Sequence, residues 1–180
     1  MMIHRPIYRD FSSPDDAILE GFDLAQPKLD GWFCQVVFGS RGAAIYSREG
    51  NLLEMRATRR PIRSAIAIGE YMSRSRKRGL DSSGYRDHGV VLFDVVEIDG
   101  APLDTGYFHR LDLCTELAQS QCSPPILAMC TYRDLPITVP HLEACYIAHG
   151  GEGLIFRRSD APFDHPVGRW VVPGYHERRK

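Results

Sequence analysis

Lysine is scarce in this chain. Of its 180 residues, 19 are arginine and only three, Lys28, Lys77 and Lys180, are lysine. Arginine is the better residue for planar contacts to phosphate, whereas only the lysine amine can lose its proton near neutrality and attack an electrophile. The setting of Lys28 therefore carries weight. Pro27-Lys28-Leu29-Asp30-Gly31 stands just before the first run of aromatic and β-branched residues. The proline restrains the backbone, a carboxylate follows the lysine by two residues, and the glycine permits close backbone approach. Nearby cations would lower the amine pKa and make such a lysine a nucleophile toward phosphate. A surface turn is the plain alternative for so loose a tetrapeptide. Further along lie Ser47-Arg48-Glu49-Gly50, Gly69-Glu70, Phe93-Asp94 and Glu152-Gly153-Leu154-Ile155-Phe156-Arg157. Singly, these read equally well as a turn, a strand-end acid, a core phenylalanine and a loop carboxylate. Their order after Lys28 gives them meaning as a set.

The elements that must position these residues can be read from patterning. Ser13-Pro14-Asp15-Asp16 carries the signals of a helix start, and that helix is short, ending near Gly21. Trp32 to Phe38 and Ala43 to Ser47 flank the turn Gly39-Ser40-Arg41-Gly42 and predict a hairpin. Ser64 to Met72 and Gly89 to Ile98 predict strands, the second closed by an Asp99-Gly100 turn. Thr105 to Gln119 has helical spacing, and Pro125 to Tyr132 contains a short strand. Val139 to Ala148 predicts a helix opened by Pro140, which Gly150 and Gly151 break before the strand at Leu154-Ile155-Phe156. Strands and helices interleave without a regular βαβ rhythm. The expected fold is α+β, mainly antiparallel sheets with flanking helices, in one domain over residues 1–180.

Composition narrows the function classes. A net charge of −1, 43% hydrophobic residues and a pI near 6.6 exclude collagen-like and largely disordered readings. No apolar stretch approaches the roughly 18 residues of a membrane span, and Met1 to Asp10 lacks the apolar core of a secretory signal. Five cysteines (Cys34, Cys114, Cys122, Cys130 and Cys145) form no CxxC pair. Free thiols, mostly buried as small apolar side chains in a reducing, intracellular or cytoplasmic compartment, are expected. A zinc site with His141 or His149 has no support in the spacing. Arg56, Arg59, Arg60, Arg63, Arg74, Arg76, Lys77 and Arg78 cluster in sequence, either as a phosphate-tracking patch or as a solvated loop.

Taken in order, the motifs resemble those of the covalent nucleotidyltransferases: ATP-dependent DNA ligases, RNA ligases and mRNA capping enzymes. The family's KxDG is matched at Lys28 to Gly31, its SRxG at Ser47 to Gly50 and its third motif at Glu70. Its FD element is matched at Phe93-Asp94, and EGxxxR at Glu152 to Arg157. Phe93 to Gly100, with Leu103 and His109-Arg110, looks like the DNA ligase branch, and the likeness spans nearly the whole chain. The resemblance implies an ATP-grasp-like ligase adenylation core that uses ATP and Mg²⁺. Lys28 would attack the α-phosphate and form lysyl-AMP, with Asp30 orienting the site. Gln26, Arg48, Glu70, Phe93, Arg157 and Lys180 would hold the nucleotide, and Glu152 would bind Mg²⁺. AMP would then pass to the 5′-phosphate of nicked or broken nucleic acid, DNA ahead of RNA, with no membrane partner.

The sequence departs from the family in places. Phe33 stands where ligases carry arginine two residues after the KxDG glycine, and Ile68 where the third motif carries aspartate. Arg178-Arg179-Lys180 lies at the distance of the last motif, without the flanking apolar alternation. The resemblance places an OB-fold after this core, and no sequence is left here to encode it; a minimal catalytic core, a fragment, and a protein whose OB-fold or DNA-gripping domain a partner supplies in trans are the alternatives. An RNA ligase or capping-type guanylyltransferase, and a nucleotide- or nucleic-acid-binding module without catalysis, stay open as alternatives.

Overall fold

Ser13 caps the first helix as its position predicts. The computed structural model describes residues 2–58, 63–72, 89–119 and 125–175. In it, helix α1 spans Pro14–Leu19, and Ser13 and Asp16 each bond the other's backbone N–H in a capping box. The strands are β1 (Tyr8–Asp10), β2 (Leu24–Pro27), β3 (Trp32–Gly39), β4 (Gly42–Ser47), β5 (Leu52–Ala57) and β6 (Ala65–Met72). They continue with β7 (Gly89–Ile98), β8 (Ala101–Pro102), β9 (Ile126–Ala128), β10 (Gly153–Arg157) and β11 (Val167–Val171). Helices α2 (Tyr107–Ala118) and α3 (Leu135–Leu142) complete the set, α3 running on into a π-helical turn at Glu143–Ile147.

These strands form two sheets. The larger has the order β5-β4-β3-β6-β7-β8, all antiparallel, with β9 pairing parallel to β7. The smaller has the order β1-β11-β10-β2, antiparallel except for β1 against β11. The expected α+β class with mainly antiparallel sheets holds. The helix expected to open at Pro140 instead starts at Leu135, with Pro136 in its first turn and Pro140 inside it. Pro136 already supplies the N-terminal signal there, because a proline costs no hydrogen bond in a first turn.

Strand periodicity divides the apolar side chains between three clusters. Val36, Phe38, Ile45, Val90, Leu92 and Val95 pack against Leu113, Cys114 and Leu117 of α2. Leu154, Phe156 and Trp170 of the small sheet pack against Ala17 of α1 and Leu135, Val139 and Leu142 of α3. The third cluster, Leu29, Ile68, Val91, Phe93, Val96 and Met129, lies on the opposite side of the large sheet from α2. Val90 and Leu92 thus face the helix while Val91 and Phe93 face away, as a period of two demands.

The register between β6 and β7 breaks that alternation. Ile68 pairs with Asp94 and Gly69 with Leu92, so Phe93 is one residue too many. A β-bulge turns two successive side chains toward one side of a sheet. The result is that Phe93 and Asp94 both reach Arg157 of the smaller sheet.

Candidate active site

A cleft of about 310 Å³ opens between the sheets. Gln26, Ile155, Arg157 and Arg169 line it from the small sheet, and Phe33, Glu70 and Phe93 from the large one. Lys28 and Leu29 enter from the loop after β2, Arg48 from the turn after β4, and Arg5 and Tyr8 from the N-terminal segment.

Lys28 stands at the exit of β2, a strand not foreseen in the sequence reading. Its Nζ donates to Oε1 of Glu152, which stands one residue before β10, and the two side chains form an ion pair. Glu152 is 5% exposed and Lys28 20%, so the carboxylate is sequestered while the amine still reaches the cleft. Gly31 brings the loop against β6: its N–H donates to Glu70 Oε1 at 3.0 Å. A Cβ on Gly31 would sit 2.9 Å from both the Tyr71 carbonyl oxygen and the Met72 sulfur, so the KxDG glycine is required sterically. Asp30 is half-buried on the same loop and is not a lining residue of the cleft.

A buried polar network forms the floor. Asp94, 1% exposed, accepts from Arg110 Nε at 2.7 Å through one oxygen and from Arg157 Nη1 at 2.9 Å through the other. Arg157 Nε donates to Gln26 Oε1 at 3.2 Å. Gln26 Nε2 donates to Tyr107 Oη at 2.6 Å and Thr131 Oγ1 at 2.8 Å, and Tyr107 Oη donates to the Phe93 carbonyl at 2.8 Å. Such a network is tolerable in a low-dielectric interior only when its charges are paired and hydrogen-bonded. Here it joins β2, β7, β10 and α2 and presents Gln26, Phe93 and Arg157 to the cleft together.

The structure thus gathers Gln26, Lys28, Arg48, Glu70, Phe93 and Arg157 around one cleft, with Glu152 meeting it through Lys28. Lys180 lies outside the described residues. Of the basic cluster, Arg56 is 3% exposed and paired with Glu54, so it belongs to the core and not to a surface patch. Arg63 pairs with Asp99, and the other six cluster residues lie outside the described residues. Cys34 and Cys114 are buried, and burial raises their pKa well above the ordinary thiol value. Cys130 and Cys145 are exposed, contrary to the expectation that the thiols are mostly buried, and Cys122 lies outside the described residues.

Among the lining residues that the sequence does not point to, Arg5, Tyr8 and Arg169 carry polar groups. Asp10 of β1 grips Arg169 of β11 at 2.6 and 3.0 Å, and the Arg169 guanidinium lies 5.0 Å from the centre of the Tyr8 ring. Desolvation raises the Tyr8 phenol above the usual tyrosine range; Glu70 adds to this, while Arg157, Arg169 and Arg48 oppose it. For Arg5 and Tyr8 the only sequence signal is charge near the N-terminus, since Tyr8-Arg9-Asp10 has no apolar alternation, and for Arg169 there is none.

No family model and no curated protein sequence matches this chain. Solved structures do share its fold. Mycobacterial DNA ligase D, solved with ATP and MES, is 21% identical with a TM-score of 0.55, over 84% of this chain and 56% of its own. The ligase domain of M. tuberculosis LigD is 20% identical with a TM-score of 0.56, over 83% of this chain and 54% of its own. A Lig E DNA ligase, described as binding DNA with a minimal scaffold, reaches 0.61 at 16% identity, over 94% of this chain and 70% of its own. The chain spans a little over half the length of the two ligase D chains. The fold is that of DNA ligase nucleotidyltransferase domains.

Proposed function

We propose that this chain is an ATP-dependent, DNA ligase-like nucleotidyltransferase in which Lys28 becomes the carrier of AMP. The observation that supports it most is the Lys28–Glu152 ion pair, set at a cleft lined with the Phe93 ring, a ribose-competent carboxylate and four arginines. In this reading Phe93 stacks on the base, Glu70 accepts from the ribose hydroxyls, and Gln26 and Arg157 border the base. Arg48 and Arg169 hold phosphate oxygens by charge-assisted hydrogen bonds. The Lys28 ammonium, 20% exposed, loses its proton to solvent in the cleft, Glu152 holds the amine in place, and Nζ attacks the α-phosphorus. The N–P bond forms as the bond to pyrophosphate breaks, and catalysis consists mainly of placement and charge compensation. AMP then passes to a nucleic-acid 5′-phosphate, and a 3′-hydroxyl displaces it.

Among the described residues, no group of three or more His, Cys, Asp or Glu side chains could hold a metal ion by itself. A single buried carboxylate, Glu152, fits Mg²⁺ that arrives on nucleotide phosphates, since that ion keeps waters and phosphates as most of its ligands. Such an ion would neutralise phosphate charge. One observation favours a binding module instead: where ligases carry arginine, Phe33 packs at 6.3 Å against Phe93 and lines the cleft.

Intact mass after incubation with Mg²⁺ and ATP, or GTP, beside Lys28→Ala, tests the proposal. One added AMP that depends on Lys28 is expected. GMP in its place would move the chemistry to the capping type. Folded, unmodified protein that gains no adduct would favour the binding module.

A further inference from the structure

The backbone of Lys28 is fixed by a residue that the chemistry above does not use. Leu154 and Pro27 are the last paired residues of β10 and β2, so Lys28 lies just past the end of the ladder. Its N–H donates to the Gly153 carbonyl at 2.9 Å, and its own carbonyl accepts from Tyr146 Oη at 2.6 Å. Tyr146 belongs to the π-helical turn and is buried. Its main-chain carbonyl accepts the N–H of Gly151, five positions on, at 3.0 Å. Its ring lies so close to Gly151 that a Cβ there would fall 2.5–2.7 Å from three ring atoms. Gly151 immediately precedes Glu152. One side chain therefore holds the backbone of the lysine and the backbone leading to its carboxylate partner.

This geometry rests on an irregularity. A π turn carries one extra residue and shifts the helix face that follows, and such turns recur where a side chain must be re-aimed. Here the turn, rather than an element facing the cleft, delivers a phenol to the end of β2. Resting on the nucleotidyltransferase reading, we propose that Tyr146 is a positioning residue for AMP transfer to Lys28. It acts through the Lys28 carbonyl and Gly151, setting how Nζ is presented to the α-phosphorus, and does not touch the nucleotide. In-line displacement at phosphorus depends steeply on such placement, whereas ground-state affinity comes from side chains on β2, β6, β7, β10, β11 and the turn after β4, and Tyr146 Oη donates to a main-chain carbonyl instead.

Tyr146→Phe keeps the ring on Gly151 and removes only the hydroxyl. Three quantities in the full chain separate the outcomes: the single-turnover rate of lysyl-AMP formation at saturating ATP and Mg²⁺, the ATP dissociation constant, and the melting temperature. The rate should fall about tenfold while the dissociation constant stays within about twofold and melting shifts by only a few degrees. An unchanged rate would make Tyr146 a packing residue and overturn the inference. A rate loss matched by lost affinity and a large fall in melting temperature would make its role structural and overturn it equally. Wild-type protein that binds ATP yet forms no adduct is a distinct result, since it removes the nucleotidyltransferase reading itself and the inference with it.

Discussion

Asp94 compensates two buried guanidiniums at once, Arg110 at 2.7 Å and Arg157 at 2.9 Å. Removing one member of a buried ionic group is costlier than never having had the group, because the remaining charges lose their compensation inside the protein. Asp94→Ala should therefore lower stability by about 3–5 kcal/mol, read as the shift of a urea unfolding midpoint at constant slope. A midpoint within experimental scatter of wild type would mean that backbone carbonyls alone satisfy the arginines. A milder change probes Lys28. Lys28→Arg retains a cation opposite Glu152 but has no proton to lose near neutrality. It should melt close to wild type and gain no AMP by intact mass; an adduct on this variant would place the nucleophile elsewhere. Lys28 itself was legible in the sequence, because lysine is rare and its tetrapeptide heads an ordered set of motifs. The shared orientation of Phe93 and Asp94 was not, because adjacent strand residues face opposite ways unless a bulge intervenes, and the bulge is set by pairing with β6.

The elements divide along the same line. α1, the β3–β4 hairpin, β6, β7 and α2 could be read from caps, turn residues and periodicity, which are local signals. β1, β2, β5 and β11 could not. Tyr8, Arg9 and Asp10 are all exposed, and β1 exists through its pairing with β11 and through Asp10 on Arg169. The edge strand β5 is likewise tied by polar contacts: Glu54 accepts from Arg56 at 2.8 Å and from Tyr71 Oη at 3.2 Å. The hydrogen bond from Arg56 is the main reason the Glu54 carboxyl titrates below its ordinary value, although desolvation opposes it. A carboxyl whose pKa falls on folding stabilises the native state above its unfolded pKa, and that contribution vanishes as pH drops through the folded value. Glu54→Gln should melt below wild type at pH 7, and the gap should close below the usual carboxylate range. A gap that persists undiminished at pH 3 would assign the effect to shape and not to charge. The loop between β2 and β3 gives a second case. Gly31→Ala drives a methyl into the Tyr71 carbonyl and Met72, so the loop must withdraw from β6 and Lys28 with it. Lysyl-AMP formation should fall by at least about tenfold; a wild-type rate would show that the loop tolerates the shift.

At the scale of the whole molecule, the two sheets are held together on two sides of the cleft. On one side runs the Gln26–Arg157–Asp94–Arg110 network. On the other, the N-terminal segment crosses between the sheets. Gln35 of β3 bonds the His4 N–H at 2.9 Å and the Met2 carbonyl at 3.0 Å, Arg5 donates to the Arg48 carbonyl at 2.6 Å, and β1 then joins β11. A ligand between the sheets would touch both and add a third link. Ligand that binds only the native state stabilises it by mass action, about 2.7 kcal/mol when present at a hundred times its dissociation constant. For a chain of this size that corresponds to a rise in melting temperature of roughly 5–10 °C. ATP in excess EDTA, which tests occupancy of the cleft apart from any covalent step, should give such a rise. Phe93→Ala should remove most of it, because the ring is the face on which the base is read to stack. An equal rise in both proteins would locate ATP outside this cleft. No rise in wild type at millimolar ATP would mean that the two sheets do not close on a nucleotide unless another component supplies the missing contacts.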